Sequence, residues 1–366
     1  MKRLITAALG SALLASFLIF RASSGSAADT RPTINEQAPY EDGRPQAKLR
    51  LEAEDKGVVL HHGGGPQECD KYGARDVWVY AVKGKYYMHY DAAGQEGWLC
   101  PLATSDDLIH WEKHEPILPL GPPGSDDSKS ASYGVTYFDG KTWHLFYMGT
   151  PNTGPPPDRV PGFPYLTMKA KSASPAGPWQ KQPQVVPFRP QAGTYYSATA
   201  SPGFIVKYRG EYLQFFSGSV HENHKIRRTI GIARTKDLNG AWTVDPQPIV
   251  PLAEQIENTS LYYQEADKTW FLFTDHIGIK DRHEYTDSIW VYWTRDLDKW
   301  DTAHKAVVLD SRTVKWSQYV VGLPSVLKVG NRLAIFYDGL EGEKINDIGR
   351  DVGLAFLPLP IRLPRD

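Results

Sequence analysis

Five acidic residues stand at the ends of apolar runs, where a carboxylate has little local structural use. Asp76 precedes Val77-Trp78-Val79, and Glu257 precedes Asn258-Thr259-Ser260-Leu261. Asp91, Asp275 and Asp338 close apolar runs, and His276 follows Asp275. Asp139, Asp237 and Asp296 differ, because they sit inside recurring polar turns and are read as turn formers. Asp91 and Asp338 also precede small residues and would serve equally well to begin a turn. If the run ends converge, like charges and partial burial push the carboxyl pKa values apart. One carboxyl kept protonated beside another kept ionised is what acid/base cleavage of a glycosidic bond requires.

The elements that would position these residues repeat along the chain. A strand, a tight polar turn and an aromatic second strand occur five times. The copies are Val77–Tyr90 around Lys83-Gly84, Val135–Met148 around Asp139-Gly140, Phe204–Phe216 around Arg209-Gly210, Leu261–Thr274 around Asp267-Lys268, and Val326–Tyr337 around Gly330-Asn331. Each turn is a hairpin signal. A third strand follows in phase and ends in a turn leading to a tryptophan: Trp111, Trp179, Trp242 and Trp300. The fifth unit ends at Val352–Phe356 without one.

Five units of three to four strands, each roughly 55–70 residues long, with no amphipathic helix, predict an all-β chain folded as a five-bladed β-propeller. The fifth unit lacks an outer strand, which Leu49–Ala53 could supply to close the ring. In this topology the starts of the inner strands and the loops after the second strands share one face. Those loops are long and polar: 91–97, 149–164, 217–229, 276–287 and 339–350. Asp76, Tyr133, Ser201, Glu257, Asn258, Asp91, Asp275, His276 and Asp338 are therefore expected around one mouth. Tyr196, before the third inner strand, is a candidate for stacking on a sugar, with the core as its rival place.

The chain has 366 residues, a formal net charge of −1 and 12% aromatic residues. The charge balance leaves no basic footprint for nucleic acid, and the aromatic content argues against disorder. Lys2 and Arg3, the apolar stretch Leu4–Phe20 and Ser26-Ala27-Ala28 read as a secretory signal peptide over 1–28. Its removal would take away three basic residues and leave a charge of −4 with no remaining span. The expected location is secreted or periplasmic. Residues 29–60 read as a leader and 61–366 as the propeller. After export Cys69 and Cys100 could pair, or remain buried thiols.

At this point the chain resembles the five-bladed propeller glycosidases related to glycoside hydrolase family 43, which include the family 32, 117 and 130 relatives. The motifs that carry the likeness are Arg75-Asp76 before Val77-Trp78-Val79, Gly84-Lys85-Tyr86-Tyr87, and Ala103 through Trp111. The resemblance implies a catalytic base aspartate at the first inner strand, matched by Asp76. It implies two further carboxylates, but Gly134 and Ser201 stand at those positions; Asp126 and Asp127 are nearby substitutes, and Glu257 occupies the place one blade later.

These residues point to an exported glycoside hydrolase that removes a terminal sugar from an oligosaccharide or polysaccharide with inversion. Asp76 is the expected base, Glu257 the acid, and Asp275 with His276 the tuning pair. The rival expectations are an inert carbohydrate-binding propeller and a glycoside phosphorylase of the same fold. No cofactor or metal ligand set is named by the sequence, and an axial calcium ion stays open. His221-Glu222-Asn223-His224 is one residue short of a His-Glu-x-x-His site. Arg227 and Arg228 suit either solvent or a carboxylate on a sugar. His61-His62 and the glycines after them could fold over the mouth.

Overall fold

The computed structural model describes residues 31–364 apart from 224, 281 and 282. The signal-peptide segment and His224 lie outside the described residues. Among the described residues there is no α-helix, only single 3₁₀ turns at Pro66–Glu68 and Leu252–Glu254. Among the described residues no helix is long and apolar enough to cross a membrane.

The strands form five four-stranded blades, a five-bladed β-propeller. Blade 1 is Gly73–Val82, Lys85–Ala93, Pro101–Ser105 and Glu112–Pro116; blade 2 is Ser130–Phe138, Trp143–Thr150, Leu166–Ser172 and Gln180–Lys181. Blade 3 is Thr199–Tyr208, Glu211–Glu222, Lys225–Thr235 and Thr243–Val244. Blade 4 is Ile256–Gln264, Thr269–Lys280, His283–Thr294 and Lys305–Asp310. Blade 5 is Val321–Val329, Arg332–Leu340, Arg350–Pro358 and, from the start of the chain, Glu54–Leu60.

The ring thus closes through the N-terminal segment, one strand later than expected. Glu54–Leu60 supplies the outer strand of blade 5, whereas Leu49–Arg50 pairs in parallel with the outer strand of blade 4. The reason is polarity. Glu-Asp-Lys-Gly can line an outer edge that faces water. Leu51 and Ala53 instead bury in a cluster shared by Phe271 and Val291 of blade 4 and Leu333 and Ile335 of blade 5.

The turns behave as their residues dictate. Asp139 accepts backbone N–H bonds from Lys141 and Thr142, Asp237 from Asn239, and Asp296 from Asp298. Trp111 and Trp300 donate to the carbonyls of Leu108 and Leu297, each three residues back. Two of the expected loops are not loops. The ladders of blades 3 and 4 continue to Glu222↔Lys225 and Lys280↔His283. They project as long hairpins beside the mouth.

Every blade carries a register shift between its first two strands, at the end nearest the mouth. Each inner strand pairs on one side only, which leaves N–H groups on its axial edge, and hydroxyls on neighbouring inner strands accept some of those bonds. Val79 donates to Ser325, Val326 to Ser260, and Phe204 to Thr259, over 2.8 to 3.0 Å. These bonds join blade 1 to 5, 5 to 4 and 3 to 4, and account for the small hydroxylic residues of the inner strands. Ser325→Ala strands the Val79 N–H in a fully buried place. It is expected to cost about 1–3 kcal/mol, read as a lower urea midpoint with unchanged m-value.

Candidate active site

The bulges place five equivalent cross-strand pairs at the mouth. Going round the ring they are Arg75↔Asp91, Ala131↔Gly149, Ser201↔Ser217, Glu257↔Asp275 and Gly322↔Asp338. Opposite residues of an antiparallel pair lie side by side on one face. Ionisable side chains therefore collect on blades 4, 5 and 1, which are contiguous in the ring, while blades 2 and 3 contribute small residues. Asp91, Asp275 and Asp338 are one structural position used three times.

Between the pairs opens a cavity of about 490 Å³, within the range of small-molecule sites. Asp76, Asp91, Tyr133, Ser201, Glu257, Asn258 and Asp275 line it, as does Arg75. The second-strand hairpins and loops complete the walls with Trp98, Tyr165, Arg228, Glu284 and Asp347. Asp76 and Asn258 hold the first bulge position of their strands with φ of 49° and 57°. Asp and Asn are the non-glycine residues that best tolerate this left-handed region.

The two most accessible inner carboxylates are each tied to an arginine. Glu257 pairs with Arg228, whose Nε and Nη2 also donate to Glu284 at 3.0 and 2.9 Å. Asp76 meets Arg75 at 3.3 Å, and Arg75 Nη1 donates to Asp347 at 2.9 Å. Desolvation raises both carboxyls above their ordinary values, with Arg75 and Arg228 opposing it. Asp338 is bound to Arg350 at 2.9 Å, both side chains buried, and its Oδ1 accepts from the Asp76 backbone N–H at 3.4 Å.

Asp275 has no such compensation, and Asp91 has only the charge of Arg75 across the strand pair and a hydrogen bond with Ser132. Both oxygens of Asp275 and Oδ1 of Asp91 are buried without a hydrogen-bond partner among the described residues. Burial, then the charges of Glu257 and Asp76, push Asp275 well up; burial and Asp76 do the same to Asp91. Directly opposed like charges in a strand pair are unfavourable, so Glu257 and Asp275 are not readily ionised together, and burial without a cation holds the Asp275 proton to higher pH.

A raised native pKa has a defined sign in stability. The folded state holds the Asp275 proton after the unfolded chain has lost it, so this residue's contribution falls as pH rises above the ordinary carboxylate range. Asp275→Asn removes that loss. The melting temperature of the variant is expected to exceed that of the wild type by a margin that grows between about pH 4 and about pH 8. A constant or shrinking margin would mean that Asp275 is ionised in the fold.

Three expected site residues lie elsewhere. His276 does not reach the cavity, because successive strand residues alternate faces and Asp275 takes the inner one. Its ring stacks on Trp290 at 3.8 Å and bonds Asp287 and Arg44 of the leader. Tyr196 packs on Phe216 and donates to Gln191. Asp338 lies buried below the cavity floor, as a support for Asp76. The proposed substitutes also fall away: Asp127 is bound by Lys181, Tyr147 and Ser125, and Asp126 by Arg189. His61 and His62 fold onto Asp351 rather than over the mouth.

Gly134 has no space for a side chain, since a Cβ would stand 2.6 Å from the Phe146 carbonyl oxygen. Ser201 lines the cavity with an unpartnered hydroxyl. Arg228 proves buried in the wall and Arg227 pairs outward with Glu222. Cys69 and Cys100 are separate buried thiols. Among the described residues no group of three or more His, Cys, Asp or Glu side chains is arranged to hold a metal ion. In the axis the Tyr133 hydroxyl meets the Asn258 amide oxygen at 3.3 Å.

No family model matches the chain, and no curated protein matches it in sequence. Its fold matches solved structures. One is described as a glycoside hydrolase, 16% identical with a TM-score of 0.62, covering 86% of this chain and 96% of that one. A family 117 glycoside hydrolase of Zobellia galactanivorans is 15% identical, with a TM-score of 0.58 over 84% of this chain and 91% of that one. A thermostable family-43 glycoside hydrolase is 15% identical, with a TM-score of 0.57 over 83% and 97%. At these identities the likeness is one of fold.

Proposed function

We propose that the protein is an exported glycoside hydrolase that removes a terminal sugar from an oligosaccharide or polysaccharide bound in the axial cavity. The observation that carries this is the placement of Asp76 and Glu257, from blades two steps apart in the ring, on one cavity. Asp76 is the general base. Its partner Arg75 favours the ionised form that takes a proton from water. Glu257 is the general acid that protonates the leaving oxygen, and burial with two nearby anions, Glu284 and Asp76, favours its protonated form. Asp275 and Asp91 keep their own protons below them, which limits the negative charge a substrate meets.

The cavity walls suit a sugar. Tyr165 offers a ring face, and Ser201, Asn258 and Tyr133 offer hydrogen-bonding groups. That three solved proteins of the same fold are glycoside hydrolases supports the reading. Water attacking opposite the leaving group inverts the anomeric centre, which needs the two carboxyls about 6.5–9.5 Å apart.

The test is turnover of aryl glycosides and plant or algal oligosaccharides by the purified protein. Hydrolysis abolished by Asp76→Asn and Glu257→Gln supports the assignment. Sugar binding with no turnover, unchanged in both variants, would make the protein a carbohydrate-binding propeller instead.

A further inference from the structure

The two inner carboxylates stand in matching arrangements. Asp76, Arg75 and Asp347 form one row, and Glu257, Arg228 and Glu284 form another. In each an arginine lies between a carboxylate on the cavity and a second at its rim. The rim members are the more exposed, with side-chain accessibilities of 53% for Asp347 and 24% for Glu284, against 11% and 17% for Asp76 and Glu257.

The hydrogen bonds divide unequally. Arg228 gives two N–H groups to Glu284 and one to Glu257. A two-point carboxylate–guanidinium contact is stronger than a one-point contact. Glu284 thus competes with Glu257 for Arg228, and its own charge also faces Glu257. Arg75 is shared in the same way, with Nη1 donating to Asp347 at 2.9 Å and Nε and Nη2 to Asp76 at 3.3 Å.

We propose that Glu284 and Asp347 are positioning residues that set the protonation of Glu257 and Asp76 by competing for Arg228 and Arg75. This rests on the acid and base roles proposed above. The other charged groups facing Glu257 are Asp275 across the strand pair and Asp76 with Arg75 from blade 1; Tyr165 and Tyr133 from blade 2 are neutral. Those facing Asp76 are Asp338 with Arg350 from blade 5, Asp91 on its own blade, and Asp275 with Glu257 from blade 4. None of these takes an N–H from Arg228, and only Asp76 shares Arg75 with Asp347 in hydrogen bonding among the described residues.

The signs differ usefully. Glu257 must be protonated, so activity is lost as pH rises through its pKa. Asp76 must be ionised, so activity is lost as pH falls through its pKa. Glu284→Gln removes a competing anion, commits Arg228 to Glu257 and lowers the Glu257 pKa. The alkaline limb of kcat/KM should then move down by about one pH unit, with the acidic limb in place. Asp347→Asn should move the acidic limb down by a similar amount and leave the alkaline limb alone. Glu284→Asp, which keeps the charge, should restore much of the wild-type alkaline limb.

The experiment is the pH dependence of kcat/KM for wild type and these three variants on one hydrolysed glycoside, with carboxyl-carbon NMR titration of Glu257 in wild type and Glu284→Gln. A lowered Glu257 titration and a selective alkaline shift support the proposal. An unmoved Glu257 titration, or the same shift in both limbs, overturns it. If Asp76→Asn and Glu257→Gln hydrolyse as fast as wild type, the acid/base assignment itself has failed, whereas the NMR titration still reports on the competition.

Discussion

Asp76→Asn is expected to lower kcat by about 10²–10⁴-fold on every glycoside the protein hydrolyses, with little change in KM. The amide is nearly isosteric and tolerates the left-handed bulge position, where φ is 49°. Its side chain can still meet Arg75, so the cavity wall should persist. What it cannot do is take a proton from water. The loss should therefore be indifferent to the leaving group, because activation of water is needed whatever departs. Steady-state kinetics on a sugar leaving group and on an activated phenol check this. A variant within threefold of wild type on both would remove Asp76 from the chemistry.

Glu257→Gln should fail selectively. A sugar alkoxide is a poor leaving group and needs its proton, so hydrolysis of an oligosaccharide should fall by about 10²–10⁴-fold. A dinitrophenolate leaves without one, so the corresponding aryl glycoside should lose far less. The variant also removes one of the three anions that raise Asp275, the others being Asp76 and Asp338. The substitution thus tests the coupling across the Glu257↔Asp275 pair as well as the acid role. Equal losses on both substrates would point to binding or folding rather than to proton donation.

The propeller was legible because its cause is periodic. Five tight turns at comparable spacing, each followed by an aromatic strand, dictate five hairpins, and all five form. The aspartates of the second strands were legible for the same reason, since Tyr90-Asp91, Thr274-Asp275 and Tyr337-Asp338 close equivalent apolar runs. Their different environments were not legible. Asp338 meets Arg350 because the third strand of blade 5 starts beside it, two residues along the ladder, and Asp275 meets no cation because none of its neighbours in space supplies one.

His276 illustrates the period-2 rule that a sequence reading can apply further. If Asp275 faces the cavity, its neighbour faces away, and the structure buries it against Trp290. Arg228 illustrates the opposite case. In sequence it belongs to a basic pair in an expected loop. The register that carries blade 3 out to Glu222↔Lys225 turns Arg228 inward and Arg227 outward. Nothing local distinguishes the two, because the partner carboxylates come from blade 4. The displaced closing strand is of the same kind: Leu51 and Ala53 are apolar enough to be a strand anywhere, and the gap between blades 4 and 5 decides where they go.

Water from the Asp76 side and a proton from the Glu257 side must meet the sugar on opposite faces. The anomeric configuration of the first-formed product, followed by proton NMR before mutarotation, tests this most directly. Inversion is the expected result. Retention, with a sugar covalently attached to Asp76 or Glu257 in a trapped intermediate, would contradict it.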